Sequence, residues 1–364
     1  MKSKLFVFAL IAMLVLAACG PKQNIKPEET DSVNAFPMVV DQAESVYPIE
    51  ETAQDTLEAE AAQSEQTYPV TEDDVSNETA ETLAVTVLVP SSTTSIPILL
   101  AAKYLPGLNV EIFENHPQAN AQFMAEEDLV LVTGLSVGID MFKNEVPLQL
   151  INTNVTGLSY IVTCNVEINS FAELAGHEIY LPFEGSPLEE ATQFFVEQAG
   201  LVYGEDVKPI YAPFETSTAL IKNGDDAIVA MPQPAATAMA AQECGHLGAS
   251  FYDTWNEITG VSDGYPQVAA FAKAGFVNAH PEWVIAFNEA VSKAIAELQA
   301  DPETAVNEVA EKFSFPVPVL LKALQATKFT VQSDQNMKDS VIHYYETIGK
   351  PLDESFEAFF YTLP

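Results

Sequence analysis

From residue 83 onward the sequence predicts an α/β fold built as two similar lobes. Three observations predict it. Short β-branched apolar runs alternate with helical segments, the pattern of an α/β layer with a mostly parallel sheet. The run 123–132 is echoed by the run 221–230, each with a helix end, an Asp, an apolar strand and a loop. The last third of the chain is helical, with lengths that suit a return to pack against the first lobe.

Each element follows from local pattern. Residues 83–89 (Leu-Ala-Val-Thr-Val-Leu-Val) are short and β-branched, which predicts a buried strand. A Pro-Ser-Ser-Thr-Thr-Ser loop follows, then an apolar helix over 96–105 that tolerates Pro97 in its first turn. Strands are predicted at 109–114, at 128–133 (stopped by Gly134) and at 148–153. A second unit begins near Gly157 with a strand over 159–164. A short helix over 170–176 has a Ser start and a Gly stop. Strand 178–181 leads to a helix running to Ala199, where Ser186 and Glu189 have capping-box spacing and Pro187 holds the first helical position. Strand 207–211, helix 216–222 and strand 226–230 complete the unit, broken by Met231-Pro232-Gln233-Pro234. Helices are predicted over 281–298, 301–313, 320–326, 334–348 and 352–360.

The N-terminus reads as a targeting signal. Lys2 and Lys4 precede an apolar run over 5–18, which is shorter than the roughly 20 residues a membrane-spanning helix needs. It ends in Leu-Ala-Ala-Cys, which resembles the lipobox of bacterial lipoproteins. That resemblance implies cleavage before Cys19, lipidation of Cys19 and an extracytoplasmic protein held to the bacterial cell membrane. Residues 1–19 are then the signal and lipobox. Residues 20–82 are acidic, polar and poor in aromatics, a composition that predicts a disordered, extended tether.

The formal charge is −37, carried over fifteen lysines and no arginine. Nucleic-acid affinity rests on cations that neutralise phosphates, so a chain this acidic excludes a nucleic-acid partner. Besides Cys19 there are Cys164 and Cys244. An exported protein can oxidise them to one disulfide, or they remain two buried thiols; the sequence does not give their separation.

Several segments in fixed order carry a family resemblance. Strand 83–89 leads into a Ser/Thr loop and a Pro-containing helix. The segment 168–179 resembles Ile-x-Ser-x-x-Asp-Leu-Lys-Gly-Lys-x-Ile. Glu184-Gly185-Ser186-Pro187 resembles a Gly-Ser loop, 219–227 resembles Ala-Leu-x-x-Gly-x-x-Asp-Ala, and 278–284 resembles a His-Pro-Glu helix start. Together they resemble the substrate-binding proteins of ABC importers, within the nitrate, sulfonate, taurine and thiamine-precursor group. The resemblance covers roughly 83–348. It implies the two-lobed type II periplasmic-binding-protein fold, with a hinge and a cleft between lobes. Lobe 1 would comprise 83–155 and the return 249–364, and lobe 2 would comprise 156–248. It further implies capture of a small organic ligand by hinge closure, without a cofactor, by a monomer. Delivery would be to the permease and ATPase subunits of an importer.

In open α/β sheets ligands bind beyond the C-terminal strand ends. Here those loops give Ser91, Ser92, Thr93 and Thr94, then Gly134, Leu135 and Ser136, then Asn154 and Thr156 near the crossover. The second unit gives Phe183, Glu184, Gly185 and Ser186, and Met231, Pro232 and Gln233. Small hydroxyls and free amides offer directional hydrogen bonds, and Tyr160, Phe183, Tyr211 and Phe214 offer rings. Carboxylates, sulfonates and phosphates are usually gripped by Arg, which this chain lacks. Glu189 and Glu190 occupy the first turn of the helix after Ser186, where an anion would otherwise sit. These features point to a neutral or cationic ligand, such as a flat heterocycle of the thiamine-precursor or flavin kind.

An enzyme is disfavoured. There is no Gly-x-Ser-x-Gly, His-Glu-x-x-His or phosphate-binding Gly-Lys-Ser/Thr motif, and no Cys-rich run like that of fungal-type thiamine-pyrimidine enzymes. A metal-binding lipoprotein is an alternative, since Cys244-Gly245-His246 offers two ligands, though in no standard zinc spacing. A solute-sensing receptor subunit is another.

Overall fold

The computed structural model describes residues 83–362. The signal, Cys19 and the acidic tether lie outside them. The first lobe opens with β1 (Val85–Pro90), α1 (Ser95–Ala101), β2 (Leu108–Phe113), α2 (His116–Ala125), β3 (Leu129–Gly134), α3 (Leu135–Lys143) and β4 (Leu148–Gly157). After one residue the chain enters a second sheet at β5 (Ser159–Cys164). There follow β6 (Glu178–Leu181), α4 (Pro187–Gln198), β7 (Lys208–Tyr211), α5 (Phe214–Asn223), β8 (Ala227–Pro232), α6 (Ala235–Ala240), β9 (Gly245–Ser250) and α7 (Phe251–Thr259). The return comprises β10 (Val268–Lys273), α8 (Ala274–Ala279), α9 (Pro281–Ala300), α10 (Pro302–Val309), α11 (Val317–Gln325), β11 (Lys328–Gln332) and α12 (Asp334–Thr347).

The first sheet has the order β11-β4-β10-β3-β1-β2 and the second β7-β6-β8-β5-β9. Neither is mostly parallel, as the alternating pattern suggested. β1 pairs parallel with β2 and β3, and β6 pairs parallel with β7 and β8. The strands that carry the chain between lobes bring the opposite direction: β10 runs antiparallel to β3 and β4, and β5 runs antiparallel to β8 and β9. The second sheet reaches Ser250, and Phe251 and Trp255 of α7 pack on its aromatic core. The second lobe therefore extends beyond residue 248, and the chain returns only at β10.

Helix starts follow their sequence signals. Asn115 accepts from Gln118 N at 2.9 Å, Ser186 from Glu189 N at 3.1 Å and Ser250 from Asp253 N at 3.2 Å. At α4 the reciprocal arm of the capping box shifts by one residue. The Glu189 carboxylate accepts from Gly185 N, not Ser186 N, and it also receives the Tyr203 and Tyr211 hydroxyls. Tyr211 is therefore tied to Glu189, and burial together with that carboxylate pushes its hydroxyl up to about 12. Two C-terminal helices are shorter than their pattern suggested. The segment 301–313 is helical only to Val309 and then tightens into a 3-10 turn, and 352–360 is a 3-10 turn over Glu354–Phe359.

One core fills the space between the first sheet and α1, α9 and α10, built on Val87, Val89, Ile98, Val130, Phe287 and Val291. A second covers the other sheet face and continues into the second lobe, from Leu131 and Phe271 to Phe171, Phe195, Phe251 and Trp255. Cys164 on β5 and Cys244 before β9 form a disulfide with Cα atoms 4.8 Å apart. Among the described residues no helix is long and apolar enough to cross a membrane.

Candidate ligand-binding cleft

A cavity of about 510 Å³ lies between the lobes, where the C-terminal ends of strands from both sheets face one another. Its first-lobe wall comes from the loop after β1 (Ser91, Ser92, Thr94) and from Gly134, Leu135 and Ser136 at the end of β3. Its second-lobe wall comes from Phe183 and Ser186 after β6, from Phe214 at the start of α5, and from Pro232 and Gln233 at the end of β8. Parallel strands that lead into helices place their loops at one sheet edge, and that edge is where ligands bind in such folds.

The lobes already touch around this cavity. A Cβ on Gly134 would lie 2.4 Å from Pro187 Cγ, so only glycine lets the two walls meet there. Ser136 Oγ donates to Gly185 O at 3.1 Å, and Gly185 has φ +77°, a conformation that favours glycine. Thr93 N donates to Gln233 O at 3.3 Å. On α4, Glu190 meets Lys350 Nζ at 3.4 Å and the Tyr345 hydroxyl at 3.4 Å.

Other predicted site residues lie off the cavity. Thr93 is buried against Thr327, with hydroxyls 3.0 Å apart. Asn154 Nδ2 donates to Asn152 Oδ1 within β4. Thr156 lines a separate crevice of about 150 Å³. Tyr160 donates its hydroxyl to Ala326 O at 3.0 Å, joining the second lobe to the returning helix. Glu184 is exposed, and both backbone groups of Gly185 are engaged by Glu189 and Ser136. Met231 packs in the core with Val162 and Val229, because successive strand residues face opposite ways and its neighbour Pro232 takes the cavity side.

The cavity also recruits residues that the strand-end loops did not suggest. Tyr265 and Tyr344 stack at 5.1 Å and 8° and line its inner wall. Burial, with Glu190 nearby, pushes both hydroxyls up, so they stay protonated. Phe113 packs edge-on to His116 at 5.0 Å, and Phe315 completes the first-lobe side. Burial lowers the His116 pKa against the pull of Glu215, which favours the neutral ring. Gln267 locks the crossover: its Nε2 donates to Thr156 O at 3.1 Å and its Oε1 accepts from Ser159 Oγ at 3.2 Å.

Two buried polar groups in the cavity wall lack a protein partner: Thr133 Oγ1 and Gln233 Nε2. Gln233 Oε1 accepts from Thr237 N at 3.1 Å, which fixes the amide orientation and leaves the NH₂ as the free end.

A sequence profile of the family described as NMT1/THI5 like matches residues 106–305. No individually curated protein matches the chain. Among solved structures, the chain is similar to the periplasmic aliphatic sulphonate binding protein SsuA of Escherichia coli. Identity is 17%, with 77% of this chain and 94% of that one covered and a TM-score of 0.61. It is similar to the periplasmic nitrate-binding protein NrtA of Synechocystis PCC 6803, at 16% identity, 71% and 75% coverage and a TM-score of 0.56. It is also similar to the zinc-bound ligand-binding component of an ABC-type import system from Staphylococcus aureus, at 11% identity, 77% and 97% coverage and a TM-score of 0.62. At these identities the likeness is one of fold, the type II periplasmic-binding-protein fold.

Proposed function

The chain belongs to the NMT1/THI5-like family, and from that premise we propose that it is an extracytoplasmic solute-binding protein. It captures a small, neutral or cationic organic ligand between its lobes and delivers it to the permease of an ABC importer. The observation that carries this reading is the interlobe cavity of about 510 Å³, lined by strand-end loops of both sheets. Closure on a ligand excludes water and strengthens each polar contact made inside. The disulfide fits an oxidising compartment. The signal-like start and Cys19 fit export and lipid anchoring.

The reading departs from the ligands that the sulphonate- and nitrate-binding neighbours are named for. No arginine is available to fork two anionic oxygens, and the first turn of α4 carries Glu189 and Glu190. The metal reading loses its sulfur ligand, because Cys244 is bonded to Cys164.

A thermal-shift screen of the full-length protein tests the proposal, with thiamine precursors, nucleobases, polyamines, nitrate, taurine and divalent metals. A solute at 100 times its dissociation constant adds about 2.7 kcal/mol of stability. A shift with one organic solute supports the reading. A shift with metal alone, or tight calorimetric binding of nitrate or taurine, refutes the ligand assignment.

A further inference from the structure

Beside the cavity one carboxylate bridges the two lobes. Glu190 stands in the first turn of α4, on the second lobe. Its partners come from the first-lobe return: Lys350 Nζ and the Tyr345 hydroxyl, each at 3.4 Å. The Glu190 side chain is 13% exposed, whereas that of Lys350 is 47% exposed. A mostly buried carboxylate thus depends on two long hydrogen bonds, and the cation that faces it stays largely in water.

The groups around Glu190 decide which of its forms the seam favours. Asp140 of α3 presents a like charge from the first lobe. It is exposed at the lobe boundary, with Oδ2 3.7 Å from where a Cβ on Gly185 would sit. The Tyr265, Tyr344 and Tyr345 hydroxyls are uncharged, because burial with Glu190 nearby raises all three. Glu189, next on the helix, is turned away toward Tyr203 and Tyr211. Lys350 and Lys143 favour the charged form, but burial outweighs them, and the Glu190 carboxyl holds its proton above the ordinary value of 4.5.

Asp140, Lys143, Tyr344, Tyr345 and Lys350 belong to the first lobe, and Tyr265 to the second crossing. Glu190 alone comes from the second lobe. Rotation of that lobe about the crossings would draw α4 away from α3 and α12 and return the carboxylate to water, where its proton is held no more tightly than usual. A group that binds its proton more tightly in one arrangement than in another ties the two equilibria together, and the tie is reciprocal.

Resting on the solute-binding reading, we propose that Glu190 is a proton-operated latch between the lobes: the closed arrangement takes up one proton from solvent at this carboxylate, and giving it up loosens the seam. Acidity then favours closure and capture. The contribution is complete below the ordinary value of the open form and is lost as pH rises through the raised value of the closed one. Lys350 limits how far that window extends, because its charge opposes uptake of the proton.

Double electron–electron resonance on the full-length protein tests this without any ligand. Nitroxides are placed on Gln118→Cys of α2 and Ala219→Cys of α5, both exposed and on opposite lobes. A Cys19→Ser background leaves these as the free thiols, since Cys164 and Cys244 are bonded to each other. From about pH 4.5 to about pH 8 the closed-distance population should fall severalfold in this parent. Glu190→Gln, which copies the protonated shape, should keep the closed distance throughout. Lys350→Met should move the transition to higher pH. A distance that ignores pH in the parent overturns the latch. An equal response in Glu190→Gln overturns it too, since loss of charge across two acidic lobes would then account for closure. An unmoved transition in Lys350→Met overturns the role given to Lys350. The readout needs no solute, so each of these failures leaves solute binding standing, and a silent solute screen leaves the latch standing.

Discussion

At Gly134 the two lobes leave no room for a side chain between them. With Pro187 Cγ 2.4 Å from its absent Cβ, Gly134→Val cannot keep the present approach of α4 to β3. The expected outcome is a protein that folds, shows a larger radius of gyration by solution scattering and binds its ligand at least tenfold more weakly. Glu190 gives a second test at this scale. Burial holds its carboxyl proton above the ordinary value of 4.5, against the opposing pull of Lys350 and Lys143. A raised folded-state value means that the folded protein binds the proton more tightly than the unfolded chain does. The stability this group contributes is therefore present below its ordinary value and is lost as pH rises through the raised one. Asp140, raised by burial as well, adds in the same direction. Glu190→Gln should flatten that loss in melts recorded from about pH 4 upward.

Elements differ in how plainly the sequence announces them. The start of α4 was legible because everything it needs lies within four residues: Ser186 as acceptor, Pro187 preset for the first turn, and Glu189 reaching back. β1, β3 and β8 were legible because β-branched apolar runs of that length have little other use. β10 was not: Val-Ala-Ala-Phe-Ala-Lys is rich in a helix former, and it becomes a strand only because β3 and β4 flank it. With β10 hidden, the loop before it was hidden too, and Tyr265 and Gln267 went unseen as parts of the cleft. Phe315 and Tyr344 were missed because they reach the cavity from the C-terminal return, far in sequence from any strand-end loop. The disulfide was open in sequence and is an element-scale brace between β5 and the approach to β9. It closes a loop with a sequence separation of 80. By the chain-entropy account, removing it with paired Cys164→Ala and Cys244→Ala changes should cost about 4 kcal/mol. The check is a denaturant titration beside the oxidised parent.

At the scale of the whole molecule the fold is two sheets joined by two crossings, with cavity-lining residues gathered from loops far apart in sequence. That gathering is why the fold class was readable from alternation and order, while the cleft was only partly so. Strand-end loops can be picked out from a sequence, but residues such as Thr156 and Tyr160, which serve the crossing itself, are separated from true lining residues only by which face the backbone turns. Charge also acts at this scale. The net −37 is spread over a chain with few cations, so added salt should raise the melting temperature by screening self-repulsion. The two tryptophans divide the molecule differently. Trp283 lies in the first-lobe core, stacked on Phe287 at 5.1 Å. Trp255 sits directly behind the cleft, 4.9 Å from Tyr265 and 5.4 Å from Tyr344. The molecule thus carries its own optical gauge: in a Trp283→Phe background, emission from Trp255 should shift in colour or intensity on ligand addition and trace lobe closure in real time, with no dye attached.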